Sequence, residues 1–114
     1  MKKIERGDAE EFQNGETCLV SEYPLGEETL DASVAKISGR YPDEGWVLNR
    51  VSKEIAFVVS GQGKLVHENG EETLGKGDVV LLEPGEKFYW DGTMEIFISC
   101  APAWKYAQYE HIID

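Results

Sequence analysis

Residues 54–65 read "EIAFVVSGQGKL": one carboxylate, an apolar block, then two glycines around a glutamine. An amphipathic strand exposes a polar side chain at every second position, and "IAFVV" does not. This strand is therefore covered on both faces. Outward from it, "KLVHE", "NGEE", "TL", "GKGD", "VVLLE", "PGEK", "FYW", "DG" and "TMEIFISC" alternate strand with turn signals, at the spacing of roughly 8 to 12 residues that marks sandwiches and barrels. "GQG" reads as one of those turns. Asn69-Gly70 and Asp91-Gly92 are the strongest hairpin signals, because a type I′ turn needs positive φ at both central residues.

Upstream, "TCLVSEY", "DASVAKISG" and "WVLNRV" are short runs with β-branched or aromatic residues, bounded by Pro24, Gly26, Gly39, Pro42 and Gly45. The one helical signal is "DAEEF", where Asp8 and Glu11 have the spacing of a capping box and predict a short helix over about residues 9–13. The fold class is all-β, with that short N-terminal helix as its only exception. A chain of 114 residues is one domain's worth of material, without repeat or linker. "VVLL" is apolar on both faces like "IAFVV". With so few other apolar segments to cover both, a homodimer is expected.

With 22 acidic and 11 basic residues the formal charge is −11, which repels phosphate backbones and anionic headgroups. Neither nucleic acid nor membrane is expected as a partner. No run approaches the roughly 18 apolar residues of a spanning helix, and "MKKIERGDAEEF" has no apolar block behind its basic residues. A cytoplasmic location is expected. Cys18 and Cys100 lack metal-type spacing, so they read as free thiols of a reducing compartment, a disulfide between them being the alternative.

The segments "EIAFVVSGQGKL" and "GKGDVVLLEPGEKFYW" resemble the two motifs of the cupin superfamily, small jelly-roll β-barrels, with motif 1 at about residues 45–61 and motif 2 at about 77–90. The resemblance implies one cupin domain over residues 1–114. Glu54 and Gly61 keep the family's glutamate-to-glycine spacing, and Gly77, Asp78, Pro84 and Gly85 match the second motif's frame. The family's metal-binding histidines are missing. Their positions fall on Leu48 and Arg50 or on Val47 and Asn49, and the third is Phe88. One carboxylate without imidazole holds a transition metal weakly. No metal or other cofactor is expected, and His67 and His111 read as solvated surface histidines.

The resemblance also implies where a pocket lies: at the barrel mouth, with Glu54 beside Phe88 and with Asn49 or Arg50. Strand parity favours Arg50, whereas a bulge in "NRVSKE" brings in Asn49. Asn49 is preferred, because Val47, Asn49 and Val51 make the more apolar face. A desolvated carboxylate is a candidate general acid or base; the bland alternative is a structural ion pair with Arg50 or Lys53. Glu83 is a second candidate carboxylate, and Trp90 and Trp104 are assigned to ligand stacking. Phe97 and Tyr89 are assigned to the core and the subunit interface rather than the pocket, and Cys100, which shares the face of Ile96 and Ile98 and has no activating neighbour, reads as a small buried hydrophobe.

The function these residues imply is a metal-independent cupin that binds a small polar organic molecule, a sugar derivative or carboxylic acid, and isomerises, epimerises or dehydrates it. The resemblance includes metal-free deoxysugar 3,5-epimerases, whose catalytic histidine has no counterpart here. A metal enzyme with a rebuilt site and a non-catalytic ligand sensor are the alternatives.

Overall fold

The computed structural model describes residues 1–113. Nine antiparallel strands make one curled sheet: β1 (Glu10–Gln13), β2 (Cys18–Glu22), β3 (Ser33–Tyr41), β4 (Trp46–Asn49), β5 (Lys53–His67), β6 (Gly70–Gly75), β7 (Val79–Leu82), β8 (Phe88–Ala101) and β9 (Tyr109–Ile112). One path runs β1-β2-β3-β8-β4-β9, while β5 pairs with β6, β7 and β8. The fold is all-β and is a cupin-type jelly-roll barrel.

Three local expectations are corrected. Residues 10–13 are strand, not helix. Glu10 to Gln13 pair with Glu22 to Leu19, and the only helical turn nearby is a 3₁₀ turn, Arg6–Asp8, with no side-chain cap. A helix this short cannot repay its nucleation cost, and the ladder satisfies the backbone instead.

"GQG" and Asp91-Gly92 are not turns but lie inside β5 and β8, the two longest strands, which pair from Lys53–Ala101 to His67–Phe88. The glycines permit a close crossing. Gly63 faces Gly92, and a Cβ on Gly92 would collide with the Gly63 Cα. A bulge between Val58 and Ser60 accommodates the bend. The hairpin at Asn69 is present but displaced by one residue. His67 pairs with Gly70, so Glu68 and Asn69 form the turn, and the positive φ falls on Gly70 alone.

Side-chain parity then decides what faces inward. Along β8 the even positions Phe88, Trp90, Met94, Ile96 and Cys100 are buried. On β5 Glu54, Ala56 and Val58 are buried up to the bulge. All of these but Glu54 and Cys100 join Cys18, Ala35, Ile37, Val47, Leu65, Leu74 and Leu82 in one core.

The odd positions face the other way. Ile55, Phe57, Val59, Val79, Leu81 and Phe97 are apolar and exposed. Phe97 is thus not in the core, and Tyr89 is half-buried on the outside, between Trp46 and the Arg40 guanidinium. The inner cover expected for "IAFVV" and "VVLL" exists, and the outer one is not supplied by the described residues.

Candidate functional site

A cavity of about 350 Å³ occupies one end of the barrel. Its wall is built by parity: Cys18, Val20 and Glu22 from β2, Ser33, Ala35, Ile37 and Tyr41 from β3, Glu54 from β5, and Phe88, Trp90, Ile98 and Cys100 from β8. The C-terminal segment closes it with Trp104, Tyr106 and Tyr109. A second space of about 470 Å³ adjoins it, sharing Asn14, Tyr41, Tyr109 and His111.

Glu54 is the buried acid of this cavity, only 7 % exposed. Its register partners, Leu82 and Cys100, place it where β5, β7 and β8 meet. The Asn49 amide donates from Nδ2 to Glu54 Oε1 at 3.0 Å, and the Cys100 thiol makes a weaker contact with the same oxygen at 3.7 Å. Among the described residues, none donates a hydrogen bond to the second oxygen, Oε2. It is the carboxylate atom left for the cavity.

Asn49 is held in turn. Trp104 donates its indole N–H to Asn49 Oδ1 at 3.0 Å. An indole can only donate, so the amide must turn its oxygen to the tryptophan and its NH₂ to the carboxylate. The corner between Asn49 and Glu54 is fixed by buried Gln108, whose Oε1 accepts the Val51 and Ser52 amides at 3.0 and 2.8 Å and whose Nε2 donates to Ser52 Oγ at 2.7 Å.

Asp31 anchors the other flank. Its carboxylate accepts the backbone N–H of Cys100 at 2.6 Å and of Trp104 at 2.9 Å, holding the tryptophan over the cavity.

Burial dominates the electrostatics. Desolvation, helped by the charge of Asp31, outweighs the hydrogen bonds from Asn49 and Cys100 and raises the Glu54 pKa from 4.5 to about 7. Neither Arg50 nor Lys53 offsets it. Arg50 pairs with Glu110, and Lys53 lies 3.8 Å from Glu83. The ion-pair alternative for Glu54 is therefore excluded by geometry.

Burial likewise pushes the Cys18 thiol up to about 12 and the Cys100 thiol higher still, with Glu54 adding to both. Neither cysteine is poised as a nucleophile. Tyr41 and Tyr109, whose hydroxyls lie 2.9 Å apart, are both raised above the usual tyrosine range, chiefly by burial, and stay neutral.

The cavity thus brings together Glu54, Phe88, Trp90 and Trp104, with Asn49 directly behind the carboxylate. Two expected pocket residues lie elsewhere. Arg50 is turned outward by the Gln108-held corner, and Glu83 is exposed in the loop after β7. His67 stays at its hairpin, accepting the Asn69 N–H. His111 is exposed as expected, but it borders the cavity and bonds the Glu44 carbonyl at 2.7 Å.

Asp31, Glu22, Tyr41, Tyr106 and Tyr109 also line the site. For Glu22 and Tyr41 the signal was the alternation in "CLVSE" and "SVAKISGRY". A metal fits this donor set poorly. Among the described residues no group of three or more His, Cys, Asp or Glu converges on a common point.

A family model described as the EutQ-like cupin domain matches residues 45–97. Among solved structures, Pac13, described as a unique nucleoside dehydratase, superposes with a TM-score of 0.88 at 21% identity over 100% of this chain and 94% of its own. The chain has the cupin fold, and its residues 45–97 match that domain. Other cupin-fold neighbours are polyketide cyclase RemF from Streptomyces resistomycificus (TM-score 0.76, 16% identity, 100% and 87% covered) and KdgF from Halomonas sp. (0.70, 14%, 89% and 94%). The Streptomyces Pac13 variant Y89F, solved with uridine, superposes at 0.89 with 21% identity over 100% and 93%. No sequence among the curated proteins matches significantly.

The pKa of Glu54 sets a sign for stability against pH. The unfolded carboxyl ionises near 4.5 and the folded one near about 7. The stabilisation is therefore fully present below about pH 4.5 and is lost as pH rises through about 7, at a cost of about 3 kcal/mol. Glu54→Gln keeps an oxygen for Asn49 and removes the charge. Urea unfolding from about pH 5 to about pH 8 should show a decline in wild-type stability that is distinctly shallower in the variant; parallel curves would contradict the assignment.

Proposed function

We propose that this cupin is a metal-independent enzyme that binds a small polar organic molecule in the barrel and uses Glu54 as its general acid–base. One observation carries this reading: a carboxylate buried without a counter-cation, its Oε1 tied to Asn49 and its Oε2 open to the cavity. A group whose pKa lies near neutrality can both take and give a proton at working pH. Phe88 occupies the motif position of the family's third histidine, so apolar surface meets the ligand there. Trp90 and Trp104 offer faces for stacking, and Asn49 positions the acid.

The chemistry that suits one such group is proton transfer at carbon. Glu54 Oε2 takes a proton from a carbon next to a carbonyl, and the electron pair of the broken C–H bond moves into an enolate. The neutral phenols of Tyr41 and Tyr109 are donors of the kind an enolate oxygen needs. The Glu54 proton then goes to a departing β-hydroxyl, which leaves as water, or, where the deprotonated carbon bears a hydroxyl whose own proton passes to the enolate oxygen, to the former carbonyl carbon. The first route is a dehydration and the second an isomerisation. Pac13, a nucleoside dehydratase on the same fold, supports the dehydration branch by analogy of scaffold only.

The cupin would act as one domain over residues 1–114 and as a homodimer in a reducing cytoplasm. The exposed apolar face of β5, β7 and β8, with Val79 60 % and Leu81 52 % exposed, supports the dimer. Both cysteines are free.

Native mass spectrometry of the purified protein identifies the molecule it retains, and NMR in D₂O follows that molecule's C–H signals. The wild-type protein should exchange one C–H for deuterium or convert the molecule. Glu54→Gln should bind it and lose that reaction by roughly a hundredfold or more. Retained exchange in the variant would overturn Glu54 as the acid–base, binding without exchange or conversion by the wild type would leave a ligand sensor, and stoichiometric transition metal lost with Glu54→Gln would overturn metal independence. Light scattering should return twice the chain mass for the wild type and the chain mass for Leu81→Glu. A wild-type monomer at micromolar concentration would contradict the dimer.

A further inference from the structure

The charge of the cavity wall is one-sided. Glu22, Asp31 and Glu54 all line it, and none of the eleven lysines and arginines does. The exposed imidazole of His111 at the rim is the sole basic side chain among the lining residues, and it is engaged by the Glu44 carbonyl.

The three carboxylates are not equivalent. Both oxygens of Asp31 accept backbone N–H groups, and Glu54 Oε1 accepts from Asn49. Glu54 Oε2 has no protein donor, although the residue is more than nine-tenths buried and lines the cavity. The Glu22 side chain likewise makes no ion pair among the described residues. The charge of Asp31 raises the pKa of both Glu22 and Glu54, so the three share one local field.

Aromatic rings stand beside this field. Trp104 packs edge-on to Tyr106 and to Tyr109, with centroids 6.3 and 5.5 Å away, and all three line the cavity. Ring faces attract cations through their quadrupole, most strongly where water is excluded. An anionic ligand would meet carboxylates with no cation to receive it. A bare metal ion would lack converging donors. A molecule with an ammonium group and an apolar or hydroxylated body satisfies both wall types.

We propose, resting on the barrel cavity as the ligand site, that the bound molecule carries a protonated amine, its ammonium seated by Glu22 beside the Glu54 carboxylate and against the Trp104 and Tyr106 rings. The carboxylic-acid class is thereby disfavoured and the amino-sugar or organic-amine class preferred. Binding also prepares the chemistry: a cation beside Glu54 offsets its desolvation and shifts it toward the ionised form, the proton acceptor.

Two matched series test this: glucosamine, glucose and glucuronate, and benzylamine, benzyl alcohol and benzoate. Binding is read by tryptophan fluorescence, since Trp90 and Trp104 line the cavity, and by saturation-transfer NMR. In the series that binds, the amine should bind about tenfold or more tighter than the neutral member, with the acid weakest. Glu22→Gln, which breaks no hydrogen bond within the protein, should cut the amine's advantage severalfold and leave the neutral member unchanged. An acid or neutral member that binds as tightly as the amine overturns the charge selection while leaving the cavity as the ligand site. An amine advantage that Glu22→Gln does not reduce also overturns it. Failure of all six to bind at millimolar concentration counts against both the amine and the cavity.

Discussion

A carboxylate taken out of water beside another carboxylate, with no cation nearby, is a costly arrangement, and the rest of this site is organised around it. Ion pairing would stabilise Glu54 as an anion and fix it there. The two basic residues close to it in sequence are instead engaged outside, Arg50 with Glu110 and Lys53 with Glu83. One neutral amide and one thiol partly compensate the buried charge. The group is left with its pKa at about 7, balanced between its two protonation states at neutral pH. Such balance suits the movement of protons and is of no benefit to stability at neutral pH, which is what the proposed acid–base role rests on.

The supporting contacts explain how the carboxylate is kept in place without being neutralised. Asp31 grips two backbone amides and so sets Trp104; Trp104 orients Asn49; Asn49 holds one oxygen of Glu54. Gln108 pins the corner that separates Asn49 from Glu54 in the chain. Every link is a directional hydrogen bond, and all but the five-residue step from Asn49 to Glu54 join distant parts of the sequence. The jelly-roll barrel supplies the frame that brings them together, and cupins with unlike chemistries share that frame.

Much of this was legible in the chain. Apolar runs punctuated by glycine specified an all-β barrel, and the Glu54–Gly61 spacing placed the acid on its inner face. Of the face Val47, Asn49 and Val51 expected to point inward, Val47 and Asn49 are buried and Val51 is exposed. The errors have physical causes. Glycine serves both as a turn former and as the residue that lets two strands cross closely, so Gly61 and Gly92 were read as ends of strands that in fact continue. The turn at residues 50–52 is dictated by Gln108, more than fifty positions away, and no local pattern reveals that Arg50 leaves the cavity. Strand parity does encode the inward set on β2 and β3. Which of those residues border a cavity rather than fill the core depends on the curl of the whole sheet, and Glu22 and Tyr41 were missed for that reason; Asp31 lies in the loop before β3, where no parity marks it.

The outer face of β5, β7 and β8 poses a complementary demand. Its exposed apolar side chains are those of the same strands whose inner face carries Glu54, so covering them would stiffen the wall on which the acid is mounted. The central claim concerns the acid itself, and titrating it directly is the most incisive measurement. With glutamate ¹³C-labelled at the side-chain carboxyl and Glu54 assigned by comparison with Glu54→Gln, the account predicts an inflection near about 7 for this carbon. An inflection near the ordinary 4.5 would show a solvated or paired carboxylate and would contradict it.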